Sequence, residues 1–310
     1  MGGTGARIDV SDWDFIAVEP KGASAKYWIR RPGGSSSRPS DDWLFKPSTF
    51  HDDGSRQAGD WAEVASSVIA TALEIPAAKS VLAVRDDVEG VLVQNVRPAG
   101  YDMVTGRMAM LNDIEIHLRD SARDKTASVG HTVENVFRVL DGYGPVPDSE
   151  SWAGCTAADV MVGYMFLDSL IANGDRHEQN WSVLRATSSD SGLPDAISAT
   201  YDLEASLGFQ LTDEARASRL LDRRGMQIYA RKGLARRFDG NRKSTLVEVA
   251  AAARTYCSER GRARVSMLLE AIAATDYDVL LAECGPVSEV TRTFAAEVLK
   301  INGRRISDAT

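Results

Sequence analysis

Between Leu167 and Leu184 the chain reads LDSLIANGDRHEQNWSVL. Leu167 to Ile171 is mainly apolar and of helical or buried character, and Trp181 to Leu184 is a short apolar run suited to a strand. Between them are crowded Asn173, Asp175, Arg176, His177, Glu178 and Asn180. A polar cluster wedged between two apolar runs must be a loop held by a core on both sides, and such loops present catalytic side chains. Asp175 and Asn180 stand five apart. That is the spacing of a phosphotransfer loop, in which an Asp accepts a hydroxyl proton and an Asn holds magnesium.

A length of 310 residues allows one large domain or two lobes with a cleft between them. A hydrophobic content of 44% and a charged content of 26% are those of an ordinary globular protein. The formal net charge of -8 argues against nucleic acid as a direct partner. Cys155, Cys257 and Cys284 are odd in number and widely spaced, which argues against a disulfide framework or zinc site and for a reducing compartment. No apolar run is long enough to span a bilayer. The start, MGGTGARIDV, is not a signal peptide, and Ala6 stands where a myristoylation motif wants Ser or Thr. The expected location is the cytoplasm, without a membrane partner.

Taken in order, residues 1 to 10 read as a loose terminus. Trp13 to Val18 and Lys26 to Arg30 read as strands joined by a Pro20/Gly22 turn. That shape is either an ordinary hairpin or a lid whose backbone N–H groups face phosphates. Arg31 to Asp42 is a Gly/Ser/Pro loop, and Trp43 to Lys46 a strand ending at Pro47. Lys46 either meets an anion or snorkels to water. Asp60 to Leu73 is a helix with Trp61, Val64, Ala65, Val68, Ile69 and Ala72 on one stripe. Glu63 there either closes a capping box with Asp60 or pairs with Lys46. Lys79 to Arg85 and Gly90 to Val96 form a hairpin, completing five strands and one helix by about residue 100.

Beyond this point the pattern turns helical. Met108 to Leu118 has no clear periodicity, and His131 to Leu140 is a helix, with Ser128 and His131 read as capping residues before it. Ser128 is also a candidate regulatory phosphosite. Thr156 caps a helix that runs through Ile171, apolar nearly all round and therefore central. Ala196 to Leu203 reads as a strand carrying Asp202, and Leu246 to Lys300 as amphipathic helices. Arg216 to Lys243 is strongly basic, either a solvated face or a platform for an acidic substrate. His177 is read as bracing the 173–180 loop, and Arg176 as pairing with a nearby carboxylate.

Five features follow one another in the order kinase-like phosphotransfer needs: the Gly22 loop, Lys46, Glu63, the Asp175/Asn180 pair and Asp202. Lys46 would contact the α- and β-phosphates of ATP, fixed by Glu63. Asn180 and Asp202 would ligate magnesium, a hard cation that takes oxygen donors. Asp175 would accept the acceptor's proton. Positioning and cations supply most of the acceleration in such transfers.

These residues resemble the HipA-like serine/threonine kinases, in the phosphoinositide-3/4-kinase-like branch. Gly22-Ala23-Ser24-Ala25-Lys26 is similar to the family's G-A-x-x-K phosphate loop, and Trp43-Leu44-Phe45-Lys46-Pro47 to its nucleotide-binding strand. Leu170 to Asn180 is close to L-I-x-N-x-D-x-H-x-x-N over eleven positions, and Tyr201-Asp202 matches the metal-binding Asp. The likeness covers roughly residues 15 to 275. It implies an α+β, two-lobed kinase fold: a β-rich N-lobe over 1–100 and a helical C-lobe over 101–310. It also implies a backbone hinge for adenine at Gln94 to Val96, phosphate contacts at Gly22, Ala23 and Ser24, and ATP and Mg2+ as cofactors.

The expected reaction is transfer to a Ser or Thr of a protein, a translation-related protein and the chain itself being among the candidates. A small-molecule or lipid-headgroup kinase and a silent nucleotide-binding scaffold are the alternatives. Two departures are plain. The chain begins almost directly at the kinase lobe, without the N-terminal subdomain of many members, so antitoxin and operator binding do not carry over. Pro20 and Lys21 stand where the family often has an autophosphorylated Ser, leaving Ser24 as the loop's hydroxyl.

Overall fold

A computed structural model describes residues 6–19, 25–116, 119–120 and 128–310. Its first layer is a six-stranded sheet. The strands are β1 (Ile8–Asp9), β2 (Asp14–Glu19), β3 (Lys26–Arg30), β4 (Asp42–Pro47), β5 (Ser80–Arg85) and β6 (Val88–Gln94). They lie in the order β1-β5-β6-β4-β3-β2. The sixth strand corrects the expectation of a loose start: Ile8 pairs in parallel with Ala83, and Val10 is fully buried. Two paired residues are too few to show a strand period in the sequence.

Helix α1 (Gly59–Ala72) lies against this sheet. Trp61, Ala65 and Ile69 bury its stripe against Leu82, Val91 and Val93. Its N-cap is Ala58, which offers no side-chain cap, and Ala58 N–H donates to the Phe209 carbonyl at 2.9 Å. The capping-box role for Glu63 is therefore not the one realised. Ile75-Pro76 follows the helix, as the residue before a proline avoids helical backbone.

Next come β7 (Tyr101–Thr105), α2 (Gly106–Ile114), the short pair β8 (Arg119–Asp120) and β9 (Ser128–Val129), and α3 (Val133–Val139). Helix α2 covers Met108 to Ile114 of the stretch whose periodicity was unclear. It buries only Gly106, Ala109 and Met110, too few to mark a stripe. Helix α4 (Ala157–Ile171) is the centre of the second layer, with every residue but Ala158 buried. Thr156 and Asp159 form a reciprocal capping box, a device that stabilises a helix start by about 1 kcal/mol. Asp159 also accepts from Ser258 N–H and Oγ, both at 2.8 Å, tying α4 to the next helices. Gly163 is required where it stands, since a Cβ there would lie 2.6 Å from the Trp152 ring.

The strands β10 (Ser182–Ala186) and β11 (Ala196–Ile197) join β7 in a three-stranded sheet. Helices α5 (Asp213–Leu220), α6 (Arg223–Arg231), α7 (Leu246–Ala253), α8 (Glu259–Ala274), α9 (Tyr277–Ala282) and α10 (Glu289–Ala309) complete the chain. Helix α10 packs on α4, where Asn302 Nδ2 donates to the Leu170 carbonyl at 3.1 Å. Sheet with one helix on one side, helices and a small sheet on the other, is the two-lobed α+β arrangement. Among the described residues no helix is long and apolar enough to cross a membrane.

Candidate active site

Helix α4 ends at Ala172 in the left-handed conformation, φ 56°, and turns the chain into the 173–180 loop. That loop is pinned from inside by a buried ion pair. Arg176 meets Asp168 through two N–H···O bonds of 2.8 Å each. Arg176 Nη1 also donates to the Asn180 carbonyl at 2.7 Å and to Thr200 Oγ1 at 2.8 Å. Asp168 is thus the carboxylate expected for Arg176, and it also accepts from Asn173 Nδ2 at 2.9 Å. Asn180 Nδ2 donates to the Asp175 carbonyl at 2.9 Å, closing the loop on itself. His177 braces it, its Nδ1 accepting from Gln179 N–H at 3.1 Å.

Lys46 is the electrostatic centre. It is only 5% exposed and does not snorkel. Its Nζ donates to Glu63 Oε2 at 3.1 Å, to Asp202 Oδ1 at 2.5 Å and to Glu204 Oε2 at 3.2 Å. Burial works against the ammonium, but Asp202, Glu63 and Glu204 overcome it and hold the Lys46 pKa well above the usual range. Burial pushes the Glu63 carboxyl up despite Lys46. It would do the same to Asp202, yet Lys46 and Lys26 bring that group down to about 2.

Asp202 is not on a strand, since β11 ends at Ile197. Its backbone is left-handed, φ 60°. A non-glycine residue pays roughly 1–2 kcal/mol for that conformation, which persists only where the surroundings enforce it. The next residue supplies part of that enforcement: Leu203 N–H donates to Glu63 Oε1 at 3.2 Å.

A cavity of about 730 Å³ lies between the layers, within the range of small-molecule sites. Leu44, Val93 and Met103 supply apolar wall; Lys26, Lys46, Asn180 and Asp202 supply the polar end. Gln94 and Val96 line it as well. The Gln94 N–H donates to the Lys79 carbonyl at 2.9 Å, and the Asn95 N–H to the Asp42 carbonyl at 3.0 Å. Gly22, Ala23 and Ser24 lie outside the described residues. Lys46, Asn180 and Asp202 are therefore brought to one cleft, with Glu63 buried behind Lys46 and in contact with it. Asp175 is beside it and not among its lining residues.

Three contributors were not legible. Glu204 joins Glu63 and Asp202 so that each offers a carboxylate oxygen, all within 4.8 Å of one another. Its position two after Asp202 was the available signal. Arg237 donates from Nε to Asp175 Oδ1 at 2.7 Å, and its Nη2 contacts the same oxygen. Nothing local links residues 62 positions apart. His131 is the third, and here the capping reading is corrected: Thr132 caps α3, accepting from Asn135 N–H at 3.1 Å. His131 is fully buried and stacks on Phe238 with ring centroids 5.1 Å apart. Trp181 Nε1–H donates to its Nε2 at 3.2 Å, so Nδ1–H donates to the Arg237 carbonyl at 2.8 Å. Burial lowers its pKa to about 4, so it is neutral at pH 7. The Ser128 side chain lies outside the described residues.

No family model matches this sequence, and no curated protein matches it. Solved structures do. A proinflammatory kinase of Helicobacter pylori, CtkA, superposes with a TM-score of 0.63 at 16% identity, over 98% of this chain and 97% of its own. HipA of Shewanella oneidensis MR-1, from a toxin–antitoxin complex with HipB and operator DNA, superposes with a TM-score of 0.55 at 13% identity. That match covers 95% of this chain and 65% of the HipA-complex chain. At such identities the likeness concerns the fold alone, the two-lobed kinase-like fold that this chain shares with both structures.

Proposed function

We propose that the protein is an ATP- and magnesium-dependent serine/threonine kinase of HipA-like type, acting on a protein hydroxyl in the cytoplasm. The observation that carries this reading is the convergence on Lys46: one buried ammonium joins strand β4, helix α1 and the Asp202 segment at the polar end of a nucleotide-sized cleft. Residues 1–100 would form the nucleotide lobe and 101–310 the lobe carrying the acceptor side.

In this reading the adenine lies against Leu44, Val93 and Met103. The amides of Gln94 and Asn95 are engaged within the protein, which leaves Val96 as the hinge position to meet its edge. Lys46 exchanges a carboxylate contact for the α- and β-phosphates while Glu63 keeps it in place. Asn180 and Asp202, with Glu204 at hand, present the oxygen donors a hard cation takes. Bound magnesium would neutralise charge on the phosphates. The acceptor oxygen attacks the γ-phosphorus, the bond to the β-phosphate oxygen breaks, and the hydroxyl proton passes to Asp175.

The test is transfer of label from γ-labelled ATP with Mg2+ in a cell lysate, with Asp175→Asn as control. Labelled protein with the wild type alone supports the reading. Label confined to extracted small molecules or lipids would replace it by a metabolite or lipid-headgroup kinase. ATP binding with no ADP formed would replace it by a silent scaffold.

A further inference from the structure

The Asp175–Arg237 pair sits outside the lining of the nucleotide cleft, so an acceptor hydroxyl that reached Asp175 would meet Arg237 beside it. Both side chains face solvent in part, Arg237 at 28% and Asp175 at 31% exposure. Nε and Nη2 of Arg237 converge on Oδ1. The other oxygen, Oδ2, lies 3.9 Å from His177 Nε2 and is the one offered to a proton, so a hydroxyl there would sit one carboxylate's width from the guanidinium.

Arg237 is presented on a fixed turn. Ala235 N–H donates to the Ser244 carbonyl at 2.9 Å, and Asp239 N–H to the His131 carbonyl at 2.8 Å. His131 holds the Arg237 carbonyl itself at 2.8 Å. On the other side the Leu234 carbonyl lies 3.6 Å from where a Cβ on Gly174 would stand, so the turn packs on the loop bearing Asp175. The segment from Arg216 to Lys243 carries ten Lys and Arg against two Asp, in a chain of net charge -8. Arg236 and Lys243 are exposed on the same turn. The turn that bears Arg237 is thus rich in cations within an acidic chain, a local charge that favours anionic partners near it.

We propose that Arg237 reads a carboxylate flanking the acceptor hydroxyl, which makes acidic Ser/Thr-containing protein segments the substrate class. An Asp or Glu beside the hydroxyl competes with Asp175 for the guanidinium fork, whose shape suits a carboxylate. Arg237 then holds the acceptor, and Asp175 is released for the proton. The transfer step rests on the kinase reading above; recognition of the acidic segment does not, and can be measured without turnover.

The experiment uses Ser peptides identical except for Asp, Ala or Lys flanks. Binding to the full chain with ADP and Mg2+ is read by fluorescence anisotropy, and phosphoryl transfer from ATP is read separately. The wild type should bind the Asp-flanked peptide about tenfold more tightly than the Ala-flanked one, the scale of one charge-assisted pair. The ratio should shrink as KCl is raised. Arg237→Gln should remove the preference, and Arg237→Glu should turn it toward Lys flanks, which loss of a purely structural contact would not do.

A wild-type ratio near one overturns the proposal whatever the variants do, and so does an acidic preference that survives Arg237→Glu. Transfer to all peptides alike would leave the kinase reading standing and this one fallen. Acidic-peptide binding lost in Arg237→Glu, with no transfer from ATP, would do the reverse.

Discussion

Lys46 Nζ stands 3.1 Å from Glu63 Oε2, and the two residues are 5% and 1% exposed. The pair couples strand β4 to α1, so the position of the helix sets the position of the cation. Removing one member of a buried pair costs about 3–5 kcal/mol when the other is left uncompensated. Lys46 keeps Asp202 and Glu204, so Glu63→Gln should fall below that range, at about 1–3 kcal/mol of stability. Lys46→Met leaves three carboxylates without their ammonium and should cost more. Thermal melting of both variants, with ATP affinity by calorimetry, checks the order; equal stability in the two would place the coupling elsewhere.

Asp175 and Asp202 should separate binding from turnover. Asp202 lines the cleft and touches Lys46, whereas Asp175 stands outside the lining. Asp175→Asn should keep ATP affinity near that of the wild type and lower the transfer rate by about 10²–10⁴-fold, the usual worth of a positioned base. Asp202→Asn should weaken magnesium-dependent nucleotide binding. Affinity and single-turnover rates measured on both variants decide it, and loss of nucleotide binding in Asp175→Asn would remove it from the role of base.

His131 gives a pH dependence with a definite sign. Its imidazole is pushed down to about 4 by burial, while Glu178, His177 and Arg237 supply the charges around it. Between its ordinary value of 6.5 and about 4, the unfolded chain takes a proton that the folded chain refuses. The His131 contribution is therefore complete above pH 6.5, and is lost as pH falls through the window to about 4. The loss is on the order of 3 kcal/mol. His131→Phe keeps a ring between Trp181 and Phe238 but cannot titrate, so its stability profile should be flatter over that window. Urea midpoints at several pH values measure this.

Strands β2 to β6, α1 and α4 could be read because each carries a local signature. The stripe from Trp61 to Ile69 and the box of Thr156 with Asp159 are set by residues three or four apart. Lys46 and Glu63 were left with two readings each because either side chain can be satisfied locally. Only the approach of the Asp202 segment decides between them. The Arg237–Asp175 contact was out of reach for the same reason, since a basic run looks alike whether it faces water or a carboxylate. Asp202 was placed on a strand because ATYDL is apolar and β-branched enough to suit one. Its left-handed backbone comes from contacts with Lys46 and through Leu203, which belong to other parts of the chain.

The Arg176–Asp168 pair permits a test that distinguishes stability from positioning. Arg176 spends its donors on Asp168, the Asn180 carbonyl and Thr200 Oγ1, all inside the core. Arg176→Met leaves Asp168 with Asn173 as its remaining side-chain donor, so it should destabilise by about 3–5 kcal/mol. Adding Asp168→Leu removes the stranded carboxylate. Paired apolar replacements of buried ion pairs are often neutral or stabilising, so the double variant should regain most of the loss in a denaturant melt. Turnover should not return with it. The Asn180 carbonyl and Thr200 would still lack their donor, and a misplacement of about 1 Å costs on the order of 10²-fold in rate. If the double variant recovered both stability and phosphoryl transfer, the pair would be a packing element alone and the loop would owe its shape to Asn173 and Asn180.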